Sequence, residues 1–296
     1  MVCLTESFQT TMVSPQNKSI PTIATMLEAL QFEFMRNALV AGVLVSIACG
    51  IVGTFVVVNR IVFISGGVAH AAYGGIGLGY FFKFNPIWGA IAFALVSAMG
   101  MGWVEQKTKQ RSDTLIGVMW AIGMAIGIIL IDLADGYKAG LEGYLFGSLL
   151  AVPRNDLWLM LGLDVVIIAV VTLFYKELLA ISFDRTYATT RNLPVDVLYL
   201  LLVSLIALTV VMVMQIVGLI MVIALLTIPA AIAGQWRTEI KAIMAVSSLL
   251  GMIFTTLGLW MSYQFNLTSG ATIILICGAS YLLSLSLKTY RNQQLT

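Results

Sequence analysis

Residues 59–82 read NRIVFISGGVAHAAYGGIGLGYFF and hold the only histidine of the chain, His70, within its densest run of small residues. Small residues that repeat every four positions share one face of a helix, and such a face lets two helix backbones touch inside a membrane. The residues in this register are Gly67, Ala71, Gly75 and Gly79. The stretch therefore predicts a helix-contact face that carries a titratable side chain.

Composition places the chain in a membrane. Of its residues, 60% are hydrophobic and 10% are charged, and the mean hydropathy is +0.98. A soluble domain carries roughly 45–50% apolar and about 25% charged residues, so this chain has too little polar surface to face water all round. Its three cysteines lie far apart, which indicates neither a disulfide framework nor a metal finger. We expect the lipid bilayer as its surroundings and no nucleic-acid partner.

Apolar runs of about twenty residues, enough to cross a hydrocarbon core of about 30 Å, follow one another along most of the chain. We count nine, although short connections near Arg60, Asn85 and Gln215 make eight to ten equally defensible. The predicted fold is therefore all-α, a polytopic bundle of about nine transmembrane helices. The runs are 37–58, 61–82, 87–104, 115–133, 157–175, 195–214, 216–234, 242–263 and 270–287.

The basic residues predict the orientation, because cytoplasmic loops carry an excess of Lys and Arg. Of the 16 such residues, eleven lie on the cytoplasmic side if the C-terminus is cytoplasmic and the N-terminus is outside. We expect residues 1–35 to form an extracytoplasmic segment with a short interfacial helix near 22–35. Residues 36–288 would form a single transmembrane domain, and 289–296 a cytoplasmic tail.

Two connections are too long to be simple turns. The outer one, 134–156, is half apolar and would either re-enter the membrane or form a docking surface. The inner one, 176–194, has a short helical register, with Asp184 as a plausible N-cap and Pro194 where the next span begins. A helix in this position is a surface on which a soluble partner can act; a solvated linker is the alternative.

Four blocks resemble the permeases of ABC-type zinc, manganese and iron importers, and they occur in that family's order. The first block is the opening stretch, extended to FVVVNRIVFISGGVAHAAYGGIGLGY, which is similar to the family's signature near its start. The others are YLFGSLLAV at 144–152, LLAISFDRTYATTRNLPV at 178–195 and VGLIMVIALLTIPAAIA at 217–233. The resemblance covers nearly everything from about Phe34 to Leu287.

The resemblance implies a type II ABC-importer-like bundle in the bacterial inner membrane, with a second permease copy as partner. Two ATP-hydrolysing subunits would bind the cytoplasmic segment, and an extracytoplasmic metal-binding protein would deliver a divalent ion. The ion is cargo, so no permanent cofactor is expected. The chain lacks a G-x-x-x-x-G-K-[ST] phosphate loop, so we expect no enzyme activity of its own. The residues implied in coupling to the ATPase are Asp184, Arg185, Ala188 and Asn192.

The family's ion pathway is lined by an Asp and a His four residues apart, and here only the histidine is present. His70 matches the His, whereas Gly66 stands where the family has Asp. A two-fold dimer would still bring two imidazoles together, and imidazole suits zinc, iron or nickel better than manganese. The alternative is a buried histidine that donates to a backbone carbonyl. Asp132 and Asp164 are weaker candidates for metal contact, and each has an alternative as a hydrated rim or a helix contact.

Other classes fit the sequence less well. A hydrolase would need a nucleophile and a base, and His70 has no G-x-S-x-G or H-E-x-x-H partner. A secondary cation transporter would be built on inverted repeats, which we do not find. A siderophore or vitamin B12 importer permease shares the general fold and coupling geometry, but it gives no reason for the histidine signature.

Overall fold

The computed structural model describes residues 31–107, 112–134, 145, 147, 149, 152–219 and 222–295. Within these ranges every regular element is a helix. The eleven helices are α1 Glu33–Asn59, α2 Val62–Phe81, α3 Pro86–Lys107, α4 Ser112–Leu133, α5 Arg154–Leu173, α6 Tyr175–Phe183, α7 Arg185–Thr190, α8 Val195–Val217, α9 Val222–Trp236, α10 Ile240–Phe265 and α11 Ser269–Leu295.

Eight of the described helices are long and apolar enough to cross a membrane, and α9 is a shorter apolar helix. The predicted span 216–234 is therefore too long at its start. Gly218 has φ 82° and ends α8, because this left-handed backbone region cannot continue a right-handed helix. With 15 residues, α9 reaches about 22 Å at 1.5 Å per residue.

Three predicted regions differ from the structure or lie outside the described residues. The predicted interfacial helix near 22–35 falls largely outside the described residues, and Glu33–Met35 already belong to α1. Most of the outer connection 134–156 also lies outside them. The predicted tail 289–296 continues α11 as far as Leu295.

Helices α1, α2 and α8 form the interior of the bundle. α2 packs chiefly against α3 and α4, whereas α1 packs against α10, α9, α5 and α8, and α8 also contacts α3 and α2. The apolar window of α2 is 83% buried, compared with 22% for each of α4 and α5 and 28% for α11. The opening stretch of the sequence is therefore the most enclosed of the long apolar helices.

Helix α2 contacts α3 through backbone at two of its glycines. Gly75 lies so close to Gly89 that a Cβ added to Gly75 would collide with the Gly89 carbonyl group. Nearer the end of α2, a Cβ on Gly79 would meet the Pro86 backbone. Glycine is required here because only a residue without a side chain permits this separation of the helix axes.

The same helix contacts α4 through neighbouring small residues. A Cβ on Gly123 would stand 2.6 Å from the Ala71 Cα, and a Cβ on Gly67 would stand 2.5 Å from the Ile116 side chain. Gly67, Ala71, Gly75 and Gly79 thus lie at the junction of α2 with α3 and α4. One stripe of small residues serves two partner helices.

Candidate functional site

His70 lies in the middle of α2 and is 8% exposed. Its Nδ1 is 2.9 Å from the Gly66 carbonyl oxygen, one helical turn earlier. A carbonyl only accepts, so Nδ1 carries the proton and donates. In the neutral ring this leaves the lone pair on Nε2, the atom through which imidazole binds a metal in this tautomer.

Trp120 of α4 covers one face of the imidazole. The two ring centroids are 3.7 Å apart and the ring planes are tilted by 31°. Together with the hydrogen bond to Gly66, this contact holds the ring in one orientation. No sequence signal pointed to Trp120, because it lies in a separate apolar run without a recognisable motif.

The position of the family's carboxylate is closed by an apolar side chain. A Cβ added to Gly66 would stand 2.6 Å from the Ile223 Cδ1 of α9. An aspartate could enter only if Ile223 moved, so the glycine and the isoleucine fit each other. Among the described residues, no group of three or more His, Cys, Asp or Glu side chains is arranged to hold a metal ion. Within one copy, His70 is therefore not joined to such a ligand cluster.

Asp164 lies in the middle of α5, ten residues after its first residue Arg154, and thus about 15 Å along the helix. It is 3% exposed. Neither of its carboxylate oxygens has a hydrogen-bond partner among the residues that the structure describes. Burying a polar group without a partner is costly, so this side chain is the least satisfied acidic group of the described bundle.

Asp132 occupies the last turn of α4 and is exposed. Trp120 lies twelve residues earlier on the same helix, so it is about 18 Å from Asp132 along the helix axis. Asp132 is therefore also far from His70, which Trp120 contacts. The structure does not bring Asp132, Asp164 and His70 together as one ligand group.

The segment 176–194 forms two short helices, α6 and α7, separated by Asp184. The predicted N-cap is confirmed, since the Asp184 Oδ1 accepts from the backbone N–H groups of Thr186 at 2.8 Å and Tyr187 at 3.0 Å. Asn192 has φ 55° just after α7. This conformation is one that asparagine tolerates at a helix C-terminus.

Helix α7 packs against the body of the protein and contacts the long helix α8. Ala188 is completely buried, and the Arg185 guanidinium lies 4.4 Å from the centroid of the Tyr199 ring. Tyr199 in turn donates its hydroxyl proton to Glu105 at the end of α3. A force applied to α7 would therefore reach α8 and α3 directly.

The fold and these elements define a multi-pass helical membrane protein with a buried histidine in its best-enclosed span. Residues 31–288 match the ABC 3 transport family, and the chain belongs to this family. Together with the relatives given next, this match confirms the resemblance to metal importer permeases that the four sequence blocks carry, and the chain is a membrane subunit of a transporter.

Three relatives support this assignment. An uncharacterised membrane protein of Synechocystis sp. is 67% identical over 271 residues, which cover 92% of this chain and 96% of the relative. The manganese transport system membrane protein MntC of Listeria monocytogenes is 35% identical over 247 residues, covering 83% of this chain and 88% of the relative. A chain of the solved PsaBC complex of Streptococcus pneumoniae with a Fab is 33% identical with a TM-score of 0.81, covering 89% of this chain and 95% of that one.

Proposed function

We propose that the chain is the permease subunit of an ATP-driven importer of a divalent first-row metal ion, and that the ion passes His70. The family match supports the transport function. The observation that carries the role of His70 is the state of its ring, in which a hydrogen bond that a packing histidine would also make leaves Nε2 with its lone pair. Its Nδ1 proton is engaged by Gly66, and Trp120 fixes its plane. A histidine held in this way offers Nε2 to an ion without first having to reorient.

The ligand chemistry favours zinc or iron(II) over manganese. Manganese prefers carboxylate and carbonyl oxygens, whereas imidazole suits zinc and iron. Ile223 occupies the space that a carboxylate at Gly66 would need. Manganese is the second candidate, because the Listeria relative is named for its transport.

Two copies of the chain would form the pathway. One histidine per chain supplies only one imidazole, and a metal ion needs several ligands. A two-fold dimer doubles the number of imidazoles at the interface. Asp164 and Asp132 remain weaker candidates for contact with the ion, Asp164 because its carboxylate oxygens have no partner within the described chain.

The partners follow from the family and from the two ends of the bundle. We place two ATPase subunits against α6 and α7 on the cytoplasmic side, in contact with Asp184, Arg185 and Asn192. Ala188 is buried beneath this surface and would support it rather than contact the ATPase. A metal-binding protein would deliver the ion from the other side, near 134–156. The contacts of Arg185 with Tyr199 and of Tyr199 with Glu105 support α7 as the element that carries movement into the spans.

The test is ATP-dependent uptake by the complex of permease, ATPase and binding protein reconstituted in vesicles. Zinc, iron(II) and manganese compete at equal concentrations, and each is measured. Uptake of zinc or iron in preference to manganese supports both the transport function and the ligand argument. Preferential uptake of manganese refutes the ligand argument alone, and uptake that persists without ATP refutes the ABC mechanism.

A further inference from the structure

A pocket of about 780 Å³ opens where α1, α5, α6 and α10 meet. Its inner wall is apolar and includes Ile51, Ile168, Val171 and Met244. Ile168 lies five residues before the end of α5, which is about 8 Å at 1.5 Å per residue. The inner wall therefore lies at the depth of lipid acyl chains.

The outer part of the same pocket is charged. Lys176 is the second residue of α6 and Lys241 the second residue of α10, and both are exposed side chains that line the opening. Glu177 lines it as well, so the lining carries two positive charges and one negative charge. These charges lie at the ends of the helices, at the level of lipid headgroups.

Lys241 is held in place by an aromatic ring. Its Nζ lies 5.1 Å from the centroid of the Tyr175 ring, within the range of a cation–π contact. Burial raises the pKa of the Tyr175 phenol, and the nearby Glu239 raises it further. The ring therefore stays neutral, as a cation–π contact with the charged Lys241 requires.

We infer that this pocket binds one anionic phospholipid, with its phosphate between Lys176 and Lys241 and an acyl chain along Ile168, Val171 and Met244. An apolar wall below a pair of cations matches the two parts of such a lipid, and basic pockets between membrane helices bind anionic headgroups in this way. The volume lies within the range of about 300–1,000 Å³ that is usual for small-molecule sites. The inference requires only that the chain spans a membrane, and it depends neither on the transported ion nor on the orientation.

The pocket borders the segment proposed to contact the ATPase. Tyr175, Lys176 and Glu177 form the first turn of α6, and α6 leads directly through Asp184 into α7. A bound lipid would join this turn to α10 and α5. The position of α6 would then depend on the lipid composition of the membrane.

Native mass spectrometry of the purified full chain tests the site. The protein is titrated with phosphatidylglycerol and with phosphatidylcholine of the same acyl chains. We expect the phosphatidylglycerol adduct to bind about fivefold more weakly in Lys176→Gln or Lys241→Gln and about thirtyfold more weakly in the double variant, since each basic residue near an anionic headgroup contributes roughly that factor. Lys288→Gln, a lysine of α11 that does not line the pocket, is the matched control and should bind as the wild type does.

A second variant tests the apolar wall. Ala245 also lines the pocket and is exposed, so Ala245→Phe fills the space without removing a charge. It should abolish the adduct while the melting temperature is unchanged. Inorganic phosphate in excess should not displace the lipid. The inference fails if the double lysine variant binds as the wild type does, if phosphatidylcholine binds equally well, or if phosphate alone displaces the adduct.

Discussion

Helices α2 and α5 each bury one acidic or basic side chain near their middle, and the surroundings of the two side chains are opposite. His70 lies on a helix whose apolar window is 83% buried, and it has a hydrogen bond to Gly66 and a ring contact with Trp120. Asp164 lies on a helix whose window is 22% buried, yet the side chain itself is more deeply buried than His70. Both of its carboxylate oxygens lack a hydrogen-bond partner within the described part of the chain.

The difference separates two ways in which a membrane helix can carry a polar group. The His70 ring is positioned by its own helix and by α4, so its geometry is complete within one chain. Asp164 lies on the buried stripe of α5 with Met160, Ile167 and Val171, whereas much of the remaining surface of that helix is exposed. Polar groups inside a membrane are expensive and commonly mark a function. On this comparison, the His70 ring is held by groups within the described chain, whereas the buried Asp164 carboxyl has no hydrogen-bond partner among the described residues.

Replacement of His70 gives the largest expected effect. His70→Asn retains an N–H group that can reach the Gly66 carbonyl, but it removes the imidazole Nε2. If His70 binds the ion, uptake should fall by about a hundredfold, at the upper end of the losses seen when even a supporting residue of a metal site is removed. ATP-dependent uptake of zinc by the reconstituted complex measures it.

A packing role for His70 predicts a different result. His70→Asn would then transport nearly as well as the wild type, and only His70→Ala, which loses the hydrogen bond and leaves a cavity, would fail. Thermal unfolding in detergent supplies the control. A loss of uptake indicates a ligand role only if the His70→Asn variant is still folded. Normal uptake by a folded His70→Asn variant would contradict the proposed site.

The next prediction concerns the packing that positions His70. Gly75→Ala places a Cβ against the Gly89 backbone, which cannot move aside as a flexible side chain can. We expect the free energy of unfolding to fall by about 1–3 kcal/mol, the usual cost of overpacking. Denaturant titration in mixed micelles measures it.

Gly117→Ala is the matched control for that substitution. Gly117 lies on α4, and a Cβ there would meet nothing within 4 Å. Alanine favours the helix over glycine by about 0.5–1 kcal/mol, so this variant should be slightly more stable than the wild type. Equal destabilisation by the two substitutions would show that α2 and α3 are not in backbone contact.

The sequence was a good guide to local structure and a poor one to contacts between helices. The small-residue register predicted a helix-contact face on α2, and the Asp184 N-cap was visible from its position in a short helical register. Both depend on residues close in the chain. Trp120 contacts His70 from α4, and Ile223 lies against Gly66 from α9. Apolar composition alone does not indicate which faces of two helices pack together. The turn at Gly218 was missed because a glycine within an apolar run is compatible with a continuous helix.

Restoration of the family's carboxylate should change which ion is preferred. In the double variant Gly66→Asp with Ile223→Ala, the smaller side chain leaves room for the aspartate. Because a carboxylate suits manganese better than imidazole does, we expect the ratio of manganese to zinc uptake to rise by about fivefold, or roughly 1 kcal/mol. Competition uptake with both ions measures this ratio.

Two single variants show which of the two substitutions changes the ion preference. Ile223→Ala alone should keep the wild-type preference, since it adds no ligand. Gly66→Asp alone should transport less of both ions, because its Cβ and the Ile223 side chain compete for the same space. An unchanged preference in the folded double variant would remove Gly66 from the ion pathway.

The smallest effect on the free energy of unfolding is expected at Asp164, the side chain compared above with His70. Asp164→Asn loses no hydrogen bond to any of the described residues, so the free energy of unfolding should change by less than about 1 kcal/mol. Tyr199→Phe is the control, because the Tyr199 hydroxyl donates to Glu105 and its removal should cost about 1–3 kcal/mol by leaving a polar partner unsatisfied. If Asp164→Asn proves the more destabilising of the two in the dimer but not in the monomer, the partner of Asp164 is the second copy. If it is the more destabilising in both, the carboxylate has a partner within the chain, and the contrast with His70 is lost.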